Sequence, residues 1–160
     1  MEDEAQEQKP ERSLKVSEQK WGRKNIEAGF TVLPSILITR QAAIGLDAID
    51  LNILLHIVVR WWDAKSHAFP SKKLIAEALG IDVSTVRRRI ARMETEGLLQ
   101  RKEHFVERSQ TSNRYDLTKL VAALEPFADE ELTERRAKAE KRVQKRTRKR
   151  PATSEVTTHG

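Results

Sequence analysis

Apolar residues fall along this chain in blocks, and the spacing within each block predicts an element. In residues 48–62, AIDLNILLHIVVRWW, apolar side chains occupy nearly every side of a helical wheel. Such a segment predicts a helix buried at the centre of a domain, running through Asp50 to about Trp62, with Asp47 as its N-cap. Upstream, GFTVLPSILI (residues 29–38) is β-branched and apolar around Pro34, which predicts a short strand ending before the proline. Downstream, SHAFP closes the central helix with a loop. Ser71 then caps a helix over residues 72–79, with Leu74, Ile75, Ala78 and Leu79 facing inward, and Gly80 stops it.

After Ile81 alone, Asp82 caps a further helix over residues 83–96, which Gly97 ends. Residues 98–103 and 113–117 read as two strands, joined by a long polar loop, HFVERSQTS. LTKLVAALEPFA reads as a short helix ending near Pro126. Residues 1–20 have almost no apolar content and are expected to be disordered, whereas residues beyond 126 are expected to form a charged helix that frays into PATSEVTTHG. The predicted organisation is a disordered acidic segment (1–20), a domain (21–125) and a basic helical or disordered tail (126–160). The fold class is mainly α with a small β-hairpin (α+β).

Residues 70–101, PSKKLIAEALGIDVSTVRRRIARMETEGLLQR, are the informative block. Two short helices joined by a tight Gly-Ile-Asp turn cannot lie antiparallel and must cross steeply, as in a helix-turn-helix, with Ile81 beneath the turn. On the second helix, Val86, Ile90, Met93 and Gly97 share one face, the core face. The opposite face holds Ser84, Arg88, Ala91 and Thr95, flanked by Arg87, Thr85 and Arg92, and carries no carboxylate. A helix that reads DNA needs such a face: small polar residues and arginines at base edges and phosphates, and an alanine that permits close approach. The first helix opens with Ser71, Lys72 and Lys73, where free backbone N–H groups suit a phosphate. Arg101, Lys102, Arg108, Ser109, Asn113 and Arg114 decorate the hairpin, a wing suited to tracking the backbone or entering a minor groove. Arg89 lies beside the core face and is expected to pair with a carboxylate inside the domain.

Charge sharpens the picture. The chain of 160 residues carries a net charge of +6, yet residues 1–20 are acidic on balance. Residues 133–150 contain ten basic and two acidic side chains, more than the whole excess. A block of this kind suits a polyanion, and nucleic acid is the commonest. With no cysteine, disulfides and thiolate chemistry are excluded. The four histidines are isolated in sequence, with no metal-ligand spacing, and His56 within the apolar helix reads as a core or interface residue. No nucleophile elbow, phosphate-cradling glycine loop or paired carboxylates in an apolar setting appear, so a cofactor-free, non-enzymatic protein is expected. The acidic N-terminus does not resemble a secretory signal, and no apolar stretch is long enough for a membrane span, which predicts a cytoplasmic, DNA-associated protein.

The pattern PS-x-x-x-IA-x-x-LGI-D-x-STV-x-R-x-I-x-x-ME-x-EGLL resembles the winged helix-turn-helix superfamily. It is most similar to the helix-turn-helix domains of bacterial and phage regulators and of plasmid or phage replication proteins. The resemblance covers residues 30–120. It implies Ser71, Lys72, Ser84, Thr85, Arg87 and Arg88 as DNA-facing positions and residues 108–114 as wing. Double-stranded DNA is the implied partner, and a homodimer reading two half-sites is common in this fold, although no dimer helix is visible here. The function expected is sequence-specific binding by a transcriptional regulator or replication initiator. The alternative is a protein–protein interaction module, using apolar surfaces such as the paired Trp61 and Trp62, with a tail for RNA or another polyanion.

Overall fold

The computed structural model describes residues 8–62, 68, 70–102, 105–106, 109–110 and 114–148. Helices α1 (Gln8–Trp21) and α2 (Arg23–Glu27) come first, then α3 (Ser35–Thr39), α4 (Ala48–Val58), α5 (Lys72–Leu79) and α6 (Val83–Thr95). Strands β1 (Gln100–Lys102), β2 (Phe105–Val106), β3 (Ser109–Gln110) and β4 (Arg114–Asp116) follow, and α7 (Thr118–Arg148) completes the chain. Order of elements and cores together make a winged helix-turn-helix.

The central helix forms as its pattern requires. Asp47 accepts from the backbone N–H of Ile49 and Asp50, and the Asp50 carboxylate accepts from the Asp47 N–H, a reciprocal capping box. Ile53, Leu54 and Ile57 of α4 are fully buried and meet Ile75 of α5 and Val86, Ile90 and Met93 of α6. The helix ends at Val58 rather than near Trp62. Trp61 packs half-buried against the core, and Trp62 stands 85% exposed. On α5 the buried positions are Ile75 and Ala76 with Leu79 half-buried, so its inward face is rotated from the one expected and Leu74 and Ala78 are exposed.

Gly80 takes φ +65°, the left-handed value that closes α5 and frees the chain to turn directly into α6. Ile81 donates back to the Ala76 carbonyl at 3.1 Å and packs against the core, as its place under the turn predicts. Beyond α6 the hairpin is longer-paired than expected. β1 pairs antiparallel with β4, Arg101 opposite Tyr115, and β2 pairs with β3 inside the stretch read as loop. The Tyr115 N–H also bonds the Ala68 carbonyl at 2.7 Å, which ties the segment before α5 to the sheet.

Three expectations are corrected. Residues 28–34 form no strand. Pro34 instead is the N-cap of α3, because its fixed φ of −64° and missing N–H suit a helix start. Gln8–Trp21 is helical where disorder is expected through residue 20; its Glu, Gln and Lys are good helix formers, and low apolar content argues against a core, not against a helix. Finally, α7 does not stop at Pro126 but runs unbroken across it. The proline deprives the Ala122 carbonyl of its partner, and Ala122 is exposed, so water can take that place. Leu120 and Leu124 bury the first turns of α7 against the core, and Arg40, the C-cap of α3, pairs with Glu130 at 3.2 Å.

Candidate nucleic-acid interface

The outward face of α6 is set by the depth of its inward one. Val86, Ile90 and Met93 are fully buried, which turns Ser84, Arg87 and Arg88 to solvent, with Thr85 and Ala91 half-exposed between them. Arg87 and Arg88 form no ion pair with a described residue. Asp82 caps the helix by accepting the Ser84 N–H at 2.6 Å, and the Ser84 hydroxyl and N–H hold its carboxyl below the usual range. The carboxylate at this end is thus spent on the helix terminus.

Beside this face, Ser71 caps α5 by accepting the Leu74 N–H at 3.1 Å, and Lys72 begins the helix half-buried. Burial, together with the positive charges of Arg101 and Arg87, pushes the Lys72 ammonium below its ordinary pKa. The cations of α5, α6 and the wing thus act on one another, and the Glu94 carboxylate, paired with Arg101, offsets them in part. Sequence reading places Lys72 and Arg87 at the interface separately; their convergence with Arg101 depends on the crossing of the helices and is a tertiary fact. Lys73 is exposed, 3.8 Å from Glu77.

Glu94 fastens the wing to α6. Its carboxylate accepts from the Arg101 backbone N–H at 3.0 Å and from Arg101 Nε at 2.6 Å. Burial raises the Glu94 carboxyl, but these bonds outweigh it and the net shift is downward. On the hairpin, Arg114 is half-buried in β4 opposite Lys102, whose Nζ lies 2.9 Å from Asp116. Ser109 is in β3, paired with Val106. Arg108 and Asn113, also expected in the wing, lie outside the described residues.

Arg92 is the correction among the expected contacts. Its guanidinium turns inward, ion-paired with the buried Asp50, bonded to Glu96 at 2.9 Å and to the Gly45 carbonyl at 3.2 Å. Arg89 pairs with Asp47 and lies 3.6 Å from Asp50, inside the domain as its place beside the core face predicts. The buried charge demands both. Asp50 is fully buried, which pushes its carboxyl up, and a carboxylate there is tolerable only with cations against it. The sequence holds a signal for this: Asp47 and Asp50 at capping-box spacing, and Arg89 and Arg92 one turn apart flanking the core stripe.

The family model of the DnaD N-terminal domain matches residues 33–136, from the approach to α3 through the middle of α7. The chain belongs to the DnaD N-terminal domain family. At the level of the family, this DnaD-type domain is a DNA-binding winged helix of replication. Among solved structures it is similar to a "possible transcriptional regulator" from Methanosarcina mazei Go1, at 17% identity and TM-score 0.40 over 64% of this chain and 82% of that one. It is also similar to the transcriptional regulator SlyA, at 18% identity and TM-score 0.38 over 76% and 72% of the two chains. Both likenesses are remote. None of the curated proteins matches the sequence. Among the described residues of the DnaD-type chain, no helix is long and apolar enough to cross a membrane.

Proposed function

We propose that this chain binds double-stranded DNA sequence-specifically, with α6 in the major groove and the hairpin against the flanking backbone, in transcriptional regulation or the initiation of replication. A binding role rather than a catalytic one follows from the same reading. The observation that carries it is the α6 face of Ser84, Arg87 and Arg88, exposed, free of internal ion pairs with described residues and continuous with the Lys72–Arg101 cations. Arginines so placed can pair with guanine edges, and the clustered lysine fixes register on phosphates.

Selection of bound duplexes from a random pool tests the proposal. An enriched motif supports it, and a two-fold symmetric motif would add that two copies bind together. Recovery of unenriched sequence at every salt concentration sinks the specific reading.

A second reading, a module for protein partners, has one observation in its favour. Phe30, Val32, Leu33, Val59, Trp62 and Val121 line an apolar groove of about 300 Å³ between the α3 approach, the end of α4 and α7. That groove is built from other elements than the α6 face, so replacing Trp62 leaves DNA selection intact if the first reading holds.

A further inference from the structure

The helix α7 is 31 residues long, and among the described residues it packs on the domain from its first turn to about Arg135. At about 100° per residue, Leu120, Leu124, Phe127, Ala128 and Glu131 lie within an arc of about 100°, on the side that meets α3 and the core. Continuing the same stripe places Arg135 at the rim of the groove beside α3, and Lys138, Arg142 and Lys145 beyond it. The helix therefore changes chemistry, not direction: the stripe that is apolar where it is covered becomes cationic where it overhangs. Ala139 and Val143 fall to one side, and Glu140 falls on the far side.

Near the domain the charge is partly neutralised, by Glu131–Arg135 at 2.8 Å and Glu134–Lys138 at 3.1 Å. Farther out, Lys141, Arg142 and Lys145 are exposed and form no ion pair with a described residue. The DnaD-type match ends at residue 136, so this cationic stretch lies beyond it.

We propose that the overhanging stripe of α7 is a second nucleic-acid surface, one that lies along the phosphate backbone of duplex DNA irrespective of sequence. Charge complementarity selects a polyanion, and the rest of the arm selects a duplex. Residues 128–160 contain no Phe, Tyr or Trp, so the arm offers bases no stacking platform of the kind single-strand binders use. From Arg135 to Lys145 a helix rises about 15 Å, the axial span of roughly four phosphates on one strand of a straight duplex. A rigid row of cations matches a rigid row of phosphates without either having to bend.

The full chain tests this with charge-matched pairs, Arg142→Gln with Lys145→Gln on the stripe against Arg136→Gln with Lys141→Gln off it. Glutamine keeps the helix propensity of the residues it replaces, and circular dichroism verifies unchanged helix content. The probe is a random duplex of about 30 base pairs, titrated over a series of salt concentrations. The stripe pair is expected to weaken binding about tenfold at moderate salt and to flatten the log–log salt slope by about 1.8, at about 0.9 per contact. The off-stripe pair is expected to change affinity less than twofold. Equal losses in the two pairs overturn the stripe, and no loss in either overturns the surface. If a single-stranded oligonucleotide with the same number of phosphates loses as much as the duplex does, the duplex assignment is wrong. Specific selection through α6 is read separately, by the motif enriched from the pool, so either surface can fail alone.

Discussion

Asp50, fully buried at the start of α4, is ion-paired with Arg92 on α6, 42 residues farther along the chain. This pair and its neighbour Arg89–Asp47 tie α6 to the start of α4. They also hold two of the four arginines of α6, Arg89 and Arg92, away from the face that would meet DNA. Removing the carboxylate should therefore act twice. Asp50→Ala is expected to destabilise the domain by about 2–3 kcal/mol, below the figure for a pair buried on both sides. The reason is that the Arg92 side chain is 36% exposed and can turn to water. The freed arginine should then strengthen binding to random duplex and steepen its salt slope by about 0.9. Chemical denaturation and salt titration check the two halves. A stable variant with an unchanged slope would show that Arg92 is held by Glu96 and Gly45 alone.

Acid should loosen the same corner. The Asp50 N–H that Asp47 accepts holds the Asp47 carboxyl down, against the opposing effect of burial and with help from Arg89, at about 2. In the unfolded chain the group titrates near 3.9. A carboxyl depressed by folding contributes stability that is fully present above about pH 4 and lost as pH falls toward 2. Asp50, raised by burial, works in the opposite sense and favours the folded protein as it protonates. The difference in melting temperature between the wild type and Asp47→Ala should accordingly narrow from pH 5 to pH 2. A constant difference would mean that the uncharged carboxyl caps α4 as well as the anion does.

On the α6 face, Arg88 and Arg92 should behave as opposites although both were legible as cations of one helix. Arg88 is exposed with no internal partner among the described residues, so Arg88→Ala should leave melting unchanged within about 0.5 kcal/mol. It should cost about 1–3 kcal/mol of discrimination between the selected duplex and a mismatched one. Arg92→Ala should lower stability instead, by uncovering Asp50. Competition binding and thermal unfolding on the two variants separate the roles, and a reversal of the pattern would mean α6 is turned the other way.

What could be read from the chain beforehand divides along physical lines. Local signals were sufficient for α5, α6 and the turn between them, because Ser71, Gly80, Asp82 and Gly97 are caps whose effect depends on adjacent backbone alone. The core face of α6 followed from the spacing of Val86, Ile90 and Met93. The fate of Arg92 did not, since side-chain spacing puts it on the flank and only the burial of Asp50, a tertiary event, pulls it in. The convergence of Lys72 with Arg101 was hidden for the same reason. Residues 29–34 misled because β-branched, apolar composition also suits an extended segment without a strand partner, here exposed except for the half-buried Leu33.

Pro126 tests how far α7 is one body. A proline inside a helix removes one hydrogen bond and crowds the preceding turn, at about 3 kcal/mol in an unconstrained helix. Here the orphaned Ala122 carbonyl is exposed, and the helix is held on either side of the proline, by Leu120 and Leu124 before it and by Arg40–Glu130 after it. Pro126→Ala should thus gain less than the full amount, about 1–2 kcal/mol, part of it returned through the greater freedom of the unfolded chain. If the cationic overhang relies on α7 being continuous with the core, the variant should also hold random duplex at least as tightly as the wild type. Insertion of Gly-Gly after Thr133 should do the reverse, uncoupling Arg142 and Lys145 from the domain while leaving every charge in place. A lower affinity with an undiminished salt slope is the signature expected for that insertion, because the contacts survive but their pre-alignment does not. Unaltered affinity would mean that the arm acts only as tethered charge.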